Sequence, residues 1–178
     1  MQIQLLSIGH GTLSAEAFVT HLRAAAVSTV ADVRRFPGSR QNPQFEERAL
    51  AASLHQAGID YQPMPELGGR RVALPDSPNT ALRNASFRGY ADYMQTAAFD
   101  VALLELLMLG QDRRTAMVCA ETLWWRCHRR LIADAVVLLH RGAVSHVVGA
   151  MQAAHVLTSG VRRDGSRLIY DGRVEGHV

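Results

Sequence analysis

A chain of 178 residues, 48% hydrophobic, is long enough for one well-buried core and too short for two ordinary domains. No apolar run is long enough to span a bilayer. The opening Met1-Gln2-Ile3-Gln4-Leu5-Leu6 also lacks the basic and long apolar regions of a signal peptide, so a cytoplasmic protein with no membrane partner is expected. The net charge of +3 is too small to imply nucleic acid by itself, but the 19 Lys+Arg positions are all Arg, each a planar fork suited to bidentate contact with phosphate or carboxylate.

Residues 3–8 form a compact apolar run, read as a buried first strand ending in Gly9-His10-Gly11-Thr12, where glycine permits close approach of a ligand. Ser14 is suited to cap a helix whose inner stripe is Phe18, Leu22 and Ala25. A second strand at 29–33 runs into Arg34-Arg35-Phe36-Pro37-Gly38-Ser39-Arg40, which Pro37 and Gly38 mark as a loop. Strand, helix and strand imply a crossover and hence parallel pairing. Asn42-Pro43 opens a helix expected to run through Phe45, Leu50, Leu54 and Ala57 and to stop at Gly58. A short strand at 59–64 carries Pro63, which suits an edge.

Pro65-Glu66-Leu67-Gly68-Gly69-Arg70-Arg71 reads as a second basic loop, and 72–86, without a clear period, as a long loop or lid. Residues 87–109 carry Tyr90, Met94, Ala97, Val101, Leu104 and Met108 at helical spacing, which predicts the longest helix, ended by Gly110. A strand at 115–118 then delivers Cys119 to Arg130, and 131–139 is helical up to Arg141-Gly142. A final sheet strand is expected at 144–149 and a terminal hairpin around Asp164-Gly165. The fold class is therefore α/β, a single three-layer domain over 1–178. It has an open, mostly parallel sheet of about five strands, with 157–178 as a C-terminal extension.

Three strand ends are polar and should meet in one crevice: His10, then Asp32 to Arg35, then Cys119 to Arg130. Arg34, Arg35, Arg129 and Arg130 are the candidate anion-binding groups, helped by the helix N-terminus after Cys127. The bland alternative is that some of these arginines merely pair with Glu121, Asp32 or Glu66. His10, Glu121 and His128 are candidates for moving protons, with Asp32 in support. Cys127, at a helix start beside His and Arg, is the candidate nucleophile, with a structural or hydrogen-bonding role as the favoured alternative, and Cys119 reads as a packed thiol. Both cysteines are expected as reduced thiols rather than a disulfide. A phosphatase-like or rhodanese-like loop, with glycine between an opening cysteine and a closing arginine, fits only in outline, because from Cys119 the closing arginine comes too late or the loop is too bulky with two tryptophans.

His10, Cys119, Cys127 and His128 supply enough ligands for zinc. There is no Cys-x-x-Cys, however, and adjacent residues on a helix point apart, so neither a metal nor a cofactor is expected. His21, His55, His140, His146, His155 and His177 lack partners at useful spacing and read as structural or surface groups, while Trp124 and Trp125 read as a cover.

Five segments occur together in order: Ser7-Ile8-Gly9-His10-Gly11-Thr12, Asp32-Val33-Arg34-Arg35-Phe36-Pro37, Asn42-Pro43-Gln44-Phe45, Glu66-Leu67-Gly68-Gly69-Arg70-Arg71, and Cys119-Ala120-Glu121 with Cys127-His128-Arg129-Arg130. On these the chain resembles Domain of Unknown Function family 488. The resemblance implies the α/β fold and a shared polar site, and no settled reaction. Where family members carry a polar or charged linker between the cysteine motifs, this chain has Leu123-Trp124-Trp125. The expected function is an enzyme-like domain whose crevice binds an anionic, phosphate-bearing ligand such as a nucleotide or nucleic-acid end. The rival is a non-catalytic binding module for nucleic acid or an acidic protein.

Overall fold

The computed structural model describes residues 3–38 and 40–173, so the readings of His177 and of the end of the C-terminal extension lie outside the described residues. The chain runs β1 (Gln4–Gly9), α1 (Ala15–Ala24), β2 (Thr29–Asp32), α2 (Glu47–Gln56), β3 (Asp60–Pro63), α3 (Ala85–Tyr93), α4 (Ala97–Asp112), β4 (Thr115–Cys119), α5 (Arg129–His140), β5 (Ala143–Val148) and β6 (Met151–Ala154). A separate hairpin, β7 (Val161–Asp164) and β8 (Arg167–Tyr170), completes it.

Leu5 through Gly9 of β1 are all buried, the continuous pattern of a strand covered on both faces. The six-stranded sheet has the order β3-β2-β4-β1-β5-β6, parallel throughout except for β6. From β1 the chain steps outward to β2 and β3, returns to insert β4 between β2 and β1, and goes on to β5. Right-handed crossovers then require helices on opposite faces before and after the reversal.

The core divides accordingly. Phe18, Leu22, Leu50 and Leu54 of α1 and α2 pack with Leu6, Ile8, Val30 and Val118. Tyr90, Phe99, Leu103, Leu106, Leu131 and Ile132 of α3, α4 and α5 pack with Leu5, Ala31 and Met117 on the other face. Adjacent strand residues such as Leu5 and Leu6 thus serve opposite layers. β4 is the reversal point, since it leads to α5 on one face while both neighbours, β1 and β2, lead to the other. A crevice forms outside the carboxyl end of such a strand.

Several sequence expectations change. The helix expected over 87–109 is two helices, bent by 83°. The cause is Thr96, whose side chain caps Phe99 N at 3.3 Å and starts α4 afresh. Gly110 does not end α4; it lies inside it, where a Cβ would stand 2.5 Å from Leu5 Cδ2, so it permits close packing of α4 on β1. The helix expected from Asn42 is a 3-10 turn, Pro43–Phe45, followed by an extended Glu46 and then α2. The open, mostly parallel sheet and the terminal hairpin are as expected, and among the described residues β6 brings the sheet to six strands. β6 was missed because Met-Gln-Ala-Ala has no β-branched or aromatic residue.

The 72–86 segment is irregular up to α3 and is pinned by Asp92 of α3, which accepts from Leu74 N (2.8 Å), Ser77 Oγ (2.6 Å) and Asn79 Nδ2 (2.8 Å). Asn79 in turn accepts from Tyr170 N at 3.0 Å, tying the segment to the terminal hairpin. Among the described residues, no single helix is long and apolar enough to cross a membrane.

Candidate functional site

Backbone hydrogen bonds carry the sheet past its strand ends and bring three loops together. His10 N and Gly11 N donate to the carbonyls of Cys119 (3.0 Å) and Ala120 (2.9 Å), and Val33 N to that of Val118 (3.0 Å). Gly9 makes this approach feasible, since a Cβ there would lie 1.9 Å from the Glu121 carbonyl oxygen.

One wall is a closed buried network. Arg34, 7% exposed, grips Asp32 through Nε (2.8 Å) and NH2 (2.5 Å), and its NH1 donates to Phe45 O (2.7 Å) and to His10 Nε2 (3.2 Å). His10 Nδ1 donates to Gly11 O at 2.9 Å, which leaves Nε2 as the acceptor that Arg34 needs. The ring is stacked on Phe45 at 4.0 Å. Burial, with help from the Arg34 and Arg129 charges, lowers the His10 pKa to about 4, so the imidazole is neutral at neutral pH. The Tyr61 hydroxyl donates to Asp32 at 2.8 Å, and burial followed by the Asp32 charge raises its pKa. His10, Asp32 and Arg34 therefore hold one another and shape the crevice.

The second wall begins with a 3-10 turn, Trp124–Arg126, after which Cys127 is extended (φ −123°, ψ 150°) and His128 is helical (φ −60°, ψ −19°) at the start of α5. The change of backbone turns the two side chains toward each other, with Cys127 Sγ 3.7 Å from His128 Nδ1. The sequence argument that neighbouring helical residues diverge does not apply, because Cys127 is not helical. His128 Nε2 donates to Val33 O at 2.9 Å, which directs Nδ1 at the sulfur. Gly69 accommodates that ring, since a Cβ at 69 would lie 3.0 Å from Nδ1.

Arg129 is fully buried, donating from Nε to Cys127 Sγ (3.3 Å), from NH1 to Ser7 Oγ (3.0 Å) and from NH2 to Glu121 O. Among the described residues no carboxylate pairs with it. A buried guanidinium without an anion is costly, and the anion at hand is the Cys127 thiolate. Burial pushes the Cys127 thiol up, but the Cys119 S–H, His128 and Arg129 together hold it well below the usual thiol value. Cys119 moves the opposite way, well up, first through its hydrogen bond to Cys127 and then through burial. Two adjacent sulfurs share one proton, as like charges in contact must. Among the described residues one group could hold a metal ion: Cys119 Sγ, Cys127 Sγ and His128 Nδ1 all lie within 4.8 Å of one another.

These walls border a cleft of about 170 Å³ lined by Arg35, Phe36, Gly69, Arg70, Cys119 and His128, among others. A pocket of about 260 Å³ between Asp100, Leu104, His140 and Arg163 brings no cysteine or paired histidine together. Of the sequence-named residues, Arg34, Arg35, Cys119 and His128 face the cleft, and Cys127 lies behind Cys119 at 4% exposure. Glu121 is exposed, its carboxylate accepting from Leu123 N at 3.1 Å, and does not line the cleft. Arg129 is internal. Arg130 leaves toward Phe87, over whose ring its guanidinium sits at 4.5 Å, and its NH1 donates to Trp125 O at 2.9 Å.

The sequence reading placed Gly69 and Arg70 in a basic loop without counting them as site residues; the third strand delivers them through a 3-10 turn, Pro65–Leu67. That reading missed a buried chain behind the site. His146 Nε2 meets His155 Nδ1 at 3.0 Å, and His155 Nε2 meets Asp134 Oδ1 at 2.9 Å. Trp124 lies flat on His146 at 4.0 Å. Burial first, then His155 and Arg129, lowers the His146 pKa to about 3, and its Nδ1 has no partner among the described residues. Only the fold reveals this chain, since α5, β5 and the segment after β6 each contribute one member.

No curated protein and no solved structure matches the chain. The family model described as "Domain of unknown function DUF488" matches residues 14–136. It takes in Arg35, Arg70, Cys119, Cys127 and His128, and leaves His10, His146 and His155 outside. The match spans more than half of the 178 residues, and the chain belongs to the DUF488 family.

Proposed function

We propose that this chain is an enzyme-like domain that binds an anionic, phosphate-bearing ligand in the cleft at the carboxyl end of β4. The observation that carries the reading is the pairing of Arg35 and Arg70 at the rim with Cys119 and His128 below them. Both arginines are exposed, and among the described residues neither has a carboxylate within ion-pair distance. Their one mutual hydrogen bond runs from Arg35 NH1 to the Arg70 carbonyl at 3.1 Å, which leaves most of both forks for an incoming anion. Arg34 backs them from within, committed to Asp32.

Other arginines favour this reading over an open face for nucleic acid or an acidic protein. Arg113 pairs with Asp60, Arg114 donates to Ala25 O at 2.6 Å, and Arg162 holds Asp171 at 3.0 Å. Those three are occupied, whereas Arg35 and Arg70 stand together at a concavity. Titration of the full chain with inorganic phosphate and with a nucleoside monophosphate, followed by heteronuclear NMR, tests the proposal. Shifts should centre on Arg35, Arg70 and Cys119. Arg35→Ala should weaken binding about 10-fold, the size of one charge-assisted contact. Wild-type affinity retained in both Arg35→Ala and Arg70→Ala would sink it.

A further inference from the structure

We propose that Cys119 Sγ, Cys127 Sγ and His128 Nδ1 are three ligands of a zinc-class divalent cation whose fourth coordination position opens into the cleft. The inference rests on the anion-binding reading only for what fills that fourth position.

Geometry comes first. The three ligating atoms lie within 4.8 Å of one another. The Cys127 Sγ to His128 Nδ1 separation is 3.7 Å. Zinc–sulfur and zinc–nitrogen bonds of about 2.3 and 2.0–2.1 Å at a tetrahedral angle give an edge of about 3.6 Å. The ligands come from two elements, the end of β4 and the start of α5, as expected where a cation clips a strand to the following helix.

The surroundings agree atom by atom. A metal-binding histidine needs its other ring nitrogen held by a carbonyl or carboxylate, and His128 Nε2 donates to Val33 O at 2.9 Å. A coordinating thiolate gains from N–H donors, and Arg129 Nε supplies one to Cys127 Sγ at 3.3 Å. Two sulfurs and one imidazole select soft or borderline cations and disfavour magnesium and calcium.

Binding requires both sulfurs as thiolates and His128 Nδ1 without a proton, and the two thiolates cancel the cation's charge. Arg129 then leaves the centre net positive by one. Three protein ligands with one open position is the pattern of a zinc site that binds or activates something. Cys119 and His128 line the cleft, so the open position faces Arg35 and Arg70. An anionic oxygen reaching the cation would have those guanidiniums beside it.

The test uses the full reduced chain. Zinc is titrated against a chromophoric chelator, and cobalt(II) is added in its place to read the thiolate-to-metal and ligand-field bands. The expected result is one cation per chain with tetrahedral cobalt bands. Cys119→Ser should lose more than about 100-fold in affinity, since even outer partners of a metal site are worth 10–100-fold. His128→Asn should lose comparably, and circular dichroism should show both variants folded. Folded wild-type chain that binds no stoichiometric cation, or Cys119→Ser that binds as tightly as wild type, overturns the proposal.

Adding phosphate to the cobalt form separates the two readings. Altered ligand-field bands, lost in Arg35→Ala while cobalt stays bound, support both. Stoichiometric cobalt indifferent to phosphate supports the cation site and removes the anion reading at that position. Phosphate binding that depends on Arg35 in a chain without metal affinity does the reverse.

Discussion

Asp32→Asn tests whether the buried Arg34 pair holds the first wall of the cleft. Asp32, 1% exposed, accepts from the Arg34 amide (3.1 Å), from Arg34 Nε and NH2, and from the Tyr61 hydroxyl. Asparagine keeps one oxygen but turns the other into an N–H2 group that meets a guanidinium or a hydroxyl, donor against donor. The Arg34 charge is then buried without an anion. Breaking one side of a buried pair costs about 3–5 kcal/mol. In a domain of this size each kcal/mol shifts the melting midpoint by about 2–4 °C. The midpoint should therefore fall by roughly 6–20 °C, measured by circular dichroism.

The control is Asp60→Asn, which breaks an ion pair with Arg113 whose side chains are 63% and 53% exposed. Such a pair contributes about 0–1 kcal/mol. Adding Arg34→Met to Asp32→Asn should make the double loss smaller than the sum of the single losses by about 2 kcal/mol, because the buried charge leaves with its partner. If Asp32→Asn melted within about 2 °C of the Asp60→Asn control, an interval worth under 1 kcal/mol, the network would not be supporting the wall.

Three other perturbations read different parts of the chain. Gly9→Ala places a Cβ 1.9 Å from Glu121 O, against backbone that cannot yield cheaply, and should cost about 3 kcal/mol or more, whereas Gly38→Ala meets nothing within 4 Å and should be nearly neutral in the same urea titration. Thr96→Ala removes the cap at the start of α4 and should cost about 1 kcal/mol, visible in the urea midpoint without a change in ligand binding. Stability should also fall with acid through His146: its folded pKa of about 3 lies below the unfolded value of 6.5, so the unfolded chain takes up the proton first as pH drops below 6.5. His146→Phe should reduce the slope of the urea midpoint against pH between 6.5 and about 5.5, above the ordinary carboxylate range, the rest coming from His10, whose folded pKa of about 4 acts in the same direction, and a slope equal to wild type there would show that His146 does not contribute.

Much of the fold was legible because its signals are local. The apolar runs of β1, β2 and β4 and the stripes of α1 and α5 announce themselves, and their order alone implies a parallel sheet with a crevice at the strand ends. The α3–α4 break was not visible, because hydrophobic spacing continues across it and only Thr96 marks the new start. The candidate site divides the same way. Sequence could place Cys119, Cys127 and His128 in one loop and Arg35 beside it. It could not see that Cys127 adopts an extended backbone, which decides whether its sulfur meets the imidazole. Nor could it divide the arginines into those spent on internal acceptors, Arg34 and Arg129, and those left at the rim, Arg35 and Arg70. That division depends on which acceptors the fold brings within 3 Å or so of each fork. Arg70 and His146 were not counted as site residues for the same reason, their partners lying far along the chain.

The insertion of β4 between β1 and β2 ties these details together. A strand that reverses the direction of winding has neighbours whose loops turn to the opposite face, so its own carboxyl end is left uncovered at the middle of the sheet. Cys119 stands at that end, and the loop that follows must cross over β1 to reach α5. Gly9 provides the clearance for the crossing, and Arg129 secures the loop by binding Glu121 O from below. With three acceptors, Cys127 Sγ and Glu121 O at the two ends of the loop and Ser7 Oγ on β1, the planar guanidinium fork fits where the point charge of a lysine would not. The charge that secures the loop also stabilises the thiolate behind Cys119, so one buried residue serves both the architecture and the chemistry of the cleft.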